Sequence, residues 1–237
     1  MATTVLHRAD TRGHANHGWL DTHHTFSFAG YQHPERVHFG ALRVLNDDRV
    51  KGGYGFGEHG HDNMEIISIP LSGDLEHRDS MGNQTVIRQG DVQLMSAGTG
   101  VRHSEKNHHA DREVQFLQIW VFPKERNITP RYDQQHFSPE ARHNQLLPVV
   151  TPDGSAGVRI HQDAWFYLGN LDAGFQTTHA LNNPANGLYI FVLEGEVRVN
   201  GRSLGRRDGL GLTDIEAIEL SATTAAEVLL MEVPMQF

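Results

Sequence analysis

The sequence predicts an all-β chain folded as two stacked, related β-barrels or sandwiches. Helical periodicity is scarce. Short runs of alternating or β-branched residues recur between Gly, Asn and Asp turns, as at 65–71, 92–95, 114–122, 188–193 and 228–233. The two halves also carry the same order of strand, turn and hairpin.

The repeat is visible in the residues themselves. IPLSGDLEHRDSMGN followed by QGDVQLM in the first half resembles FVLEGEVRVNGRSLG followed by RDGLGL in the second. Each has an apolar strand, a glycine turn (Gly73, Gly195), a polar hairpin, and a Gly–Asp or Asp–Gly corner before the next strand. Between them, residues 123–139 (PKERNITPRYDQQHFSP) break the strand pattern and read as a connector. The expected division falls near Phe137, with one domain over 1–137 and a second over 138–237.

Composition narrows the chemistry. With 237 residues and 38% hydrophobic content, the chain is long enough for two ordinary cores. It has no apolar run of the ~20 residues a membrane helix needs, and its opening residues lack the apolar stretch of a secretory signal, so a soluble cytoplasmic protein is expected. The absence of cysteine removes disulfides, thiolate metal sites and a thiol nucleophile together, and any metal must be held by nitrogen and oxygen. A net charge of -9, from 20 Lys+Arg against 29 Asp+Glu, argues against direct contact with nucleic acid. The 17 histidines are the unusual feature, and many are clustered.

Two clusters have the spacing of metal ligands. His59 and His61 stand two apart in a glycine-framed segment, and on a strand alternate side chains share a face. About forty residues later His103 and Glu105 repeat the device. Two such pairs can converge on one ion, and three imidazoles with one carboxylate suit Fe, Mn, Co, Ni, Cu or Zn with coordination positions left open. Glu65 has the strand parity of His59 and His61 if no bulge intervenes. It is then a fifth ligand, a pocket acid, or a hydrogen-bond partner that orients an imidazole. The glycines at 98 and 100 either leave room for a flat ligand or turn the chain.

Gly53, His59, His61, Glu65 and Gly73 resemble the first cupin motif, and Gly90, Ser96, Gly98, His103 and Asn107 the second, with Ser96 where cupins often carry proline. Gly13 and His14 through Asp21, then Phe26, the connector ITPRY and above all SAGTGVRHSEKN resemble the pirin family, nearest its bacterial quercetinase-like members. The match covers essentially the whole chain. The resemblance implies a bicupin, two facing cupin domains, with iron or another divalent metal in the first. It places the four ligands on His59, His61, His103 and Glu105, and Glu65 outside the ligand set.

Aligning Gly195 on Gly73 sets Leu181 and Asn183 where His59 and His61 stand, and Ser221 and Thr223 where His103 and Glu105 stand. The second half is therefore expected to be metal-free, with His161 and His179 as packing or surface residues. Resemblance to quercetin 2,3-dioxygenases implies opening of a flavonol by O2 with release of CO, Glu105 taking the 3-hydroxyl proton, and a small aromatic substrate as partner. Eukaryotic pirins imply a different role, a non-enzymatic regulatory or redox-sensing protein that binds a protein partner. An isomerase or a sugar-binding cupin is the third expectation.

Overall fold

The computed structural model describes residues 3–237. Among them the regular structure is strand apart from two short 3-10 turns, Ala9–Thr11 and Glu140–Arg142. The strands form two seven-stranded and two four-stranded sheets.

In the first half the larger sheet runs, in spatial order, Arg131–His136, Asp91–Ser96, Glu65–Ser72, Val114–Val121, Leu42–Val50, Leu20–His24 and Gly13–Asn16. The smaller one runs Gly55–His61, Val101–Asn107, Asp74–Asp79 and Gln84–Arg88. The second half repeats this order with Thr3–His7, Gly209–Thr213, Asn186–Glu194, Ala226–Pro234, Trp165–Leu171, Leu147–Thr151 and Val158–Arg159. Its smaller sheet is Gln176–Ala180, Ala217–Ala222, Val197–Val199 and Arg202–Leu204. Two corrections to the sequence reading follow. The connector contains a strand, Arg131–His136, whose Arg, Asp and Gln residues hide its alternation; Tyr132 points inward and bonds Thr85 at 2.6 Å. The first strand of the chain, Thr3–His7, pairs with Gly209–Thr213 in the second half's sheet.

The two large sheets pack against each other through apolar faces. Leu117, Ile119 and Val121 of one sheet meet Phe166, Phe191, Leu229 and Met231 of the other in the largest core of the molecule. Each such side chain, fully buried, contributes about 1.5–3 kcal/mol. The residues between them on the same strands face into their own half. In the second half these inward residues make one continuous apolar core. In the first half they make two small clusters, one around Leu75, Ile87 and Phe116 and one around Ile66, Met95 and Val101. A band of polar side chains separates those clusters, and it contains the site.

Polar ties join the halves at the interface edge. Asp47 is buried and pairs with Arg207 at 2.7 Å, while Arg8 and the Ala9 N–H both bond Asp208. His7 is 3% exposed with Nδ1 2.7 Å from Tyr189 Oη, and burial, with Arg36 and His33 nearby, pushes its pKa to about 4. The unfolded chain protonates this residue near pH 6.5 and the folded chain refuses the proton until about pH 4. Its stabilisation is therefore complete above pH 6.5 and is lost as pH falls toward 4. Urea unfolding of wild type and His7→Gln at pH 7.5 and pH 5 checks this: the wild type should lose about 2 kcal/mol more than the variant on acidification, and equal losses would show that His7 is not held neutral.

Candidate metal centre

The site is built by one pairing. Val101–Asn107 lies antiparallel to Gly55–His61, with His103 opposite His59 and Val101 opposite His61. The register then shifts, so that Glu105 faces Phe56 while Gly57 and Glu58 together oppose Ser104. This is a β-bulge, a device that re-aims side chains beside a site. It also brings the Gly57 carbonyl to 2.9 Å from His59 Nδ1, which must donate to it. The proton is thereby held on Nδ1, and Nε2 is left with its lone pair free. Along Val101–Asn107 the buried and exposed residues alternate, so His103 and Glu105 point inward while Arg102 and Lys106 face solvent.

The three imidazoles converge. Their ring centroids are 4.5–4.9 Å apart, and His59 Nε2 lies 3.1 Å from His103 Nε2. Burial, reinforced by the neighbouring imidazoles, pushes His61 to about 4 and His103 to about 3. At neutral pH His61 and His103 are therefore uncharged, the form that ligates a metal. Glu105 is fully buried, with its oxygens held by neutral donors, Ser68 Oγ at 2.8 Å and Gln118 Nε2 at 3.3 Å. It makes no salt bridge among the described residues. A buried carboxyl without a counter-charge, beside inward-pointing imidazole nitrogens, is a donor set that a divalent cation fits.

The four expected ligands do not close into one set as they stand. His59, His61 and His103 form one group with donor atoms within 4.8 Å of one another, and His103 and Glu105 belong to a second group with His77. The sequence reading missed His77. It is fully buried, 3.0 Å through Nε2 from Asp79, and its ring lies 5.4 Å from that of His103. Its signal was present, since His77 and Asp79 alternate on one strand as His59 and His61 do.

Glu65 departs from the expected role. The chain turns at 62–64 into the other sheet, so strand parity does not carry across. Its Oε2 accepts from Ser96 Oγ at 2.8 Å and from the His161 N–H at 3.1 Å, in place of orienting one of the three imidazoles. The carboxyl ties the two halves together, and burial raises its pKa. The glycines of the Ser96–Val101 loop are backbone devices at Gly98, where φ is 47° and a Cβ would strike the Ile128 carbonyl.

A cavity of about 670 Å³ opens beside His59 and His61. The Ser96–Val101 loop does not border it. Its walls come from residues 14–31, the large sheet and Phe56 of the smaller one: Phe28, Tyr31, Phe56 and Trp120 supply aromatic faces, and Asn46, Asp48 and Gln118 supply polar atoms. Trp120 stands edge-on to His61 at 4.9 Å, and Gly13 lets the Tyr31 ring lie where any side chain would collide.

Comparison with known proteins agrees with this architecture. The pirin family model matches residues 5–121, and a model described as the quercetinase C-terminal cupin domain matches 148–233. A quercetin 2,3-dioxygenase of Escherichia coli K12 is 44% identical over 230 residues, covering 97% of this chain and 98% of that protein. The chain belongs to the pirin family. A pirin-like protein of Caulobacter vibrioides is 38% identical, with 94% and 96% covered. The bacterial pirin YhhW of Escherichia coli, solved in complex with nickel(II), superposes with a TM-score of 0.93 at 42% identity over 98% of this chain and 99% of that one. The pirin fold here is thus a pair of cupin-type domains, and among its described residues no helix is long and apolar enough to cross a membrane.

The second cupin shows what this frame does without the donors. Asn107 N–H bonds the Tyr54 carbonyl, and Ala222 N–H bonds the Phe175 carbonyl in the matching place. Counting along the paired strands from there, Leu220 corresponds to Glu105, Ile218 to His103, His179 to His59 and Leu181 to His61. The alignment on glycines was displaced by two or three residues, because turn lengths and the bulge differ. One imidazole remains, packed edge-on against Tyr167 at 4.5 Å, among three aliphatic side chains. In this pirin the Ser68 hydroxyl supports Glu105 only in the first cupin. Ser68→Ala should therefore destabilise the chelator-treated protein by about 1–3 kcal/mol, the usual cost of leaving a buried acceptor without its donor. An unchanged urea midpoint would show that Glu105 does not depend on it.

Proposed function

We propose that this chain is a metal-dependent dioxygenase that opens a flavonol such as quercetin with O2 and releases CO. His59, His61, His103 and Glu105 would hold one divalent metal, iron first and Mn, Co, Ni, Cu or Zn as substitutes. The observation that carries the reading is the juxtaposition of three converging imidazoles, the buried Glu105 grouped with one of them, and an aromatic-walled cavity of about 670 Å³. That volume lies in the range of small-molecule sites. The relative named as a quercetin 2,3-dioxygenase supports it.

A bound divalent metal supplies Lewis acidity toward the flavonol oxygen and the capacity to engage O2. The chain's own residues do the rest. Phe28 and Trp120, edge-on to one another at 5.3 Å, confine a flat ring beside His61 and exclude water from it. Glu105 accepts the proton of the 3-hydroxyl, because a carboxylate held only by Ser68 and Gln118 can turn toward the ligand and back. Both atoms of O2 enter the products, so no external reductant is needed.

Metal-loaded protein given quercetin should consume O2 and release CO in equal amounts. At matched metal occupancy, Glu105→Gln should turn over more slowly by about 10²–10⁴-fold, the usual worth of a general base. Absence of CO with every candidate metal would overturn the assignment, and equal rates for wild type and variant would leave Glu105 without a role in proton transfer.

A further inference from the structure

A row of polar side chains crosses the floor of the first cupin in register over five strands: His24, Asn46, Gln118, Ser68 and Gln93. All five are buried. Next to the row, at the cavity end, Asp48 is 3% exposed and accepts a hydrogen bond from Thr22. Burying so many polar groups is costly unless each is satisfied.

The fold does not require them. Gly73 packs on Val114 and Gly195 on Ala226 with matching left-handed backbone, which fixes the correspondence of the two halves. Counting from those points, the positions of Asn46, Gln118, Ser68 and Gln93 are taken by Tyr167, Leu230, Ile190 and Leu210, and that of Asp48 by Gly169. The second cupin closes the same frame with hydrocarbon and one tyrosine.

Ser68 and Gln118 serve Glu105, which leaves Asn46 and Asp48 unexplained. Asn46 Oδ1 is taken by His24 Nδ1 at 3.0 Å, and one Asp48 oxygen by Thr22. Asn46 Nδ2, Gln118 Oε1 and the other Asp48 oxygen have no protein partner among the described residues, and all three side chains line the cavity. We infer that Asn46 and Asp48 form a hydroxyl-reading floor that selects polyhydroxylated aromatic ligands over bare ones. The inference rests on the flavonol reading and names the part of the cavity that discriminates among such ligands. Burial, with Asp47 and Glu105 adding to it, pushes the Asp48 carboxyl up to about 7, so it can both donate to and accept from a phenolic hydroxyl.

The test is anaerobic equilibrium binding to the full-length, metal-loaded protein, followed by tryptophan fluorescence. The probes are quercetin and 3-hydroxyflavone, which lacks quercetin's other hydroxyls. Wild type should bind quercetin about tenfold or more tightly than 3-hydroxyflavone. Asp48→Ala and Asn46→Leu should each weaken quercetin about tenfold and leave 3-hydroxyflavone within about twofold. Should Asn46→Leu fail to fold, the Asp48→Ala comparison stands alone. Equal affinities in wild type, or an equal loss for both probes in Asp48→Ala, would overturn the hydroxyl-reading floor and leave the flavonol reading intact. Binding of neither probe to the metal-loaded wild type would overturn both.

Discussion

The pairing of Val101–Asn107 with Gly55–His61, and the one bulge within it, is the constraint on which the site depends. In an unbroken register Glu105 would face Gly57; the bulge sets it opposite Phe56, and within the bulged segment the Gly57 carbonyl lies 2.9 Å from His59 Nδ1. The regular register from Val101 onward sets His103 directly opposite His59, and the bulge beyond it leaves Glu105 a residue further along the partner strand, against the large sheet. That sheet answers with Ser68 and Gln118, from adjacent strands and in register with each other. The chemistry is thus divided between two facing sheets, imidazoles on the smaller and supports on the larger.

The price of this arrangement is visible in the packing. The first cupin has its interior split into two small apolar clusters, whereas the second has one continuous core. Stability is recovered elsewhere, in the apolar interface between the large sheets and in its polar edge, where Asp47 meets Arg207. Asp47 and Asp48 are consecutive on one strand and face opposite ways, one tied to the second half and the other lining the cavity. The second cupin is joined to the site through that strand and through Glu65, which reaches the His161 backbone.

Much of this was legible in the sequence, for a specific reason. His59, His61, His103 and Glu105 lie in short strands where a period of two maps spacing directly onto a face. The all-β class and the internal repeat were equally readable, because short β-branched runs recur and the order of strand, glycine turn and hairpin is the same around Gly73 and Gly195. What was not readable depended on where the chain turns. The corner at 62–64 carried Glu65 into another sheet, and the bulge displaced the comparison of the two halves, so that His179 was not matched to His59. His77 and Asp79 were hidden inside a hairpin read only as part of the repeat. The cavity walls come from residues far apart in the chain, Phe28 and Tyr31 on one side and Trp120 on the other, which no local pattern joins.

The central claim is that one ion is held in the first cupin by residues of these two strands, and metal content answers it most directly. Elemental analysis of the purified chain, loaded with iron or nickel and desalted, should give about one ion per chain for wild type, for His161→Ala and for His179→Ala. His59→Ala and His103→Ala should retain little. Two ions per chain in wild type, or full retention by His59→Ala and His103→Ala, would contradict the account.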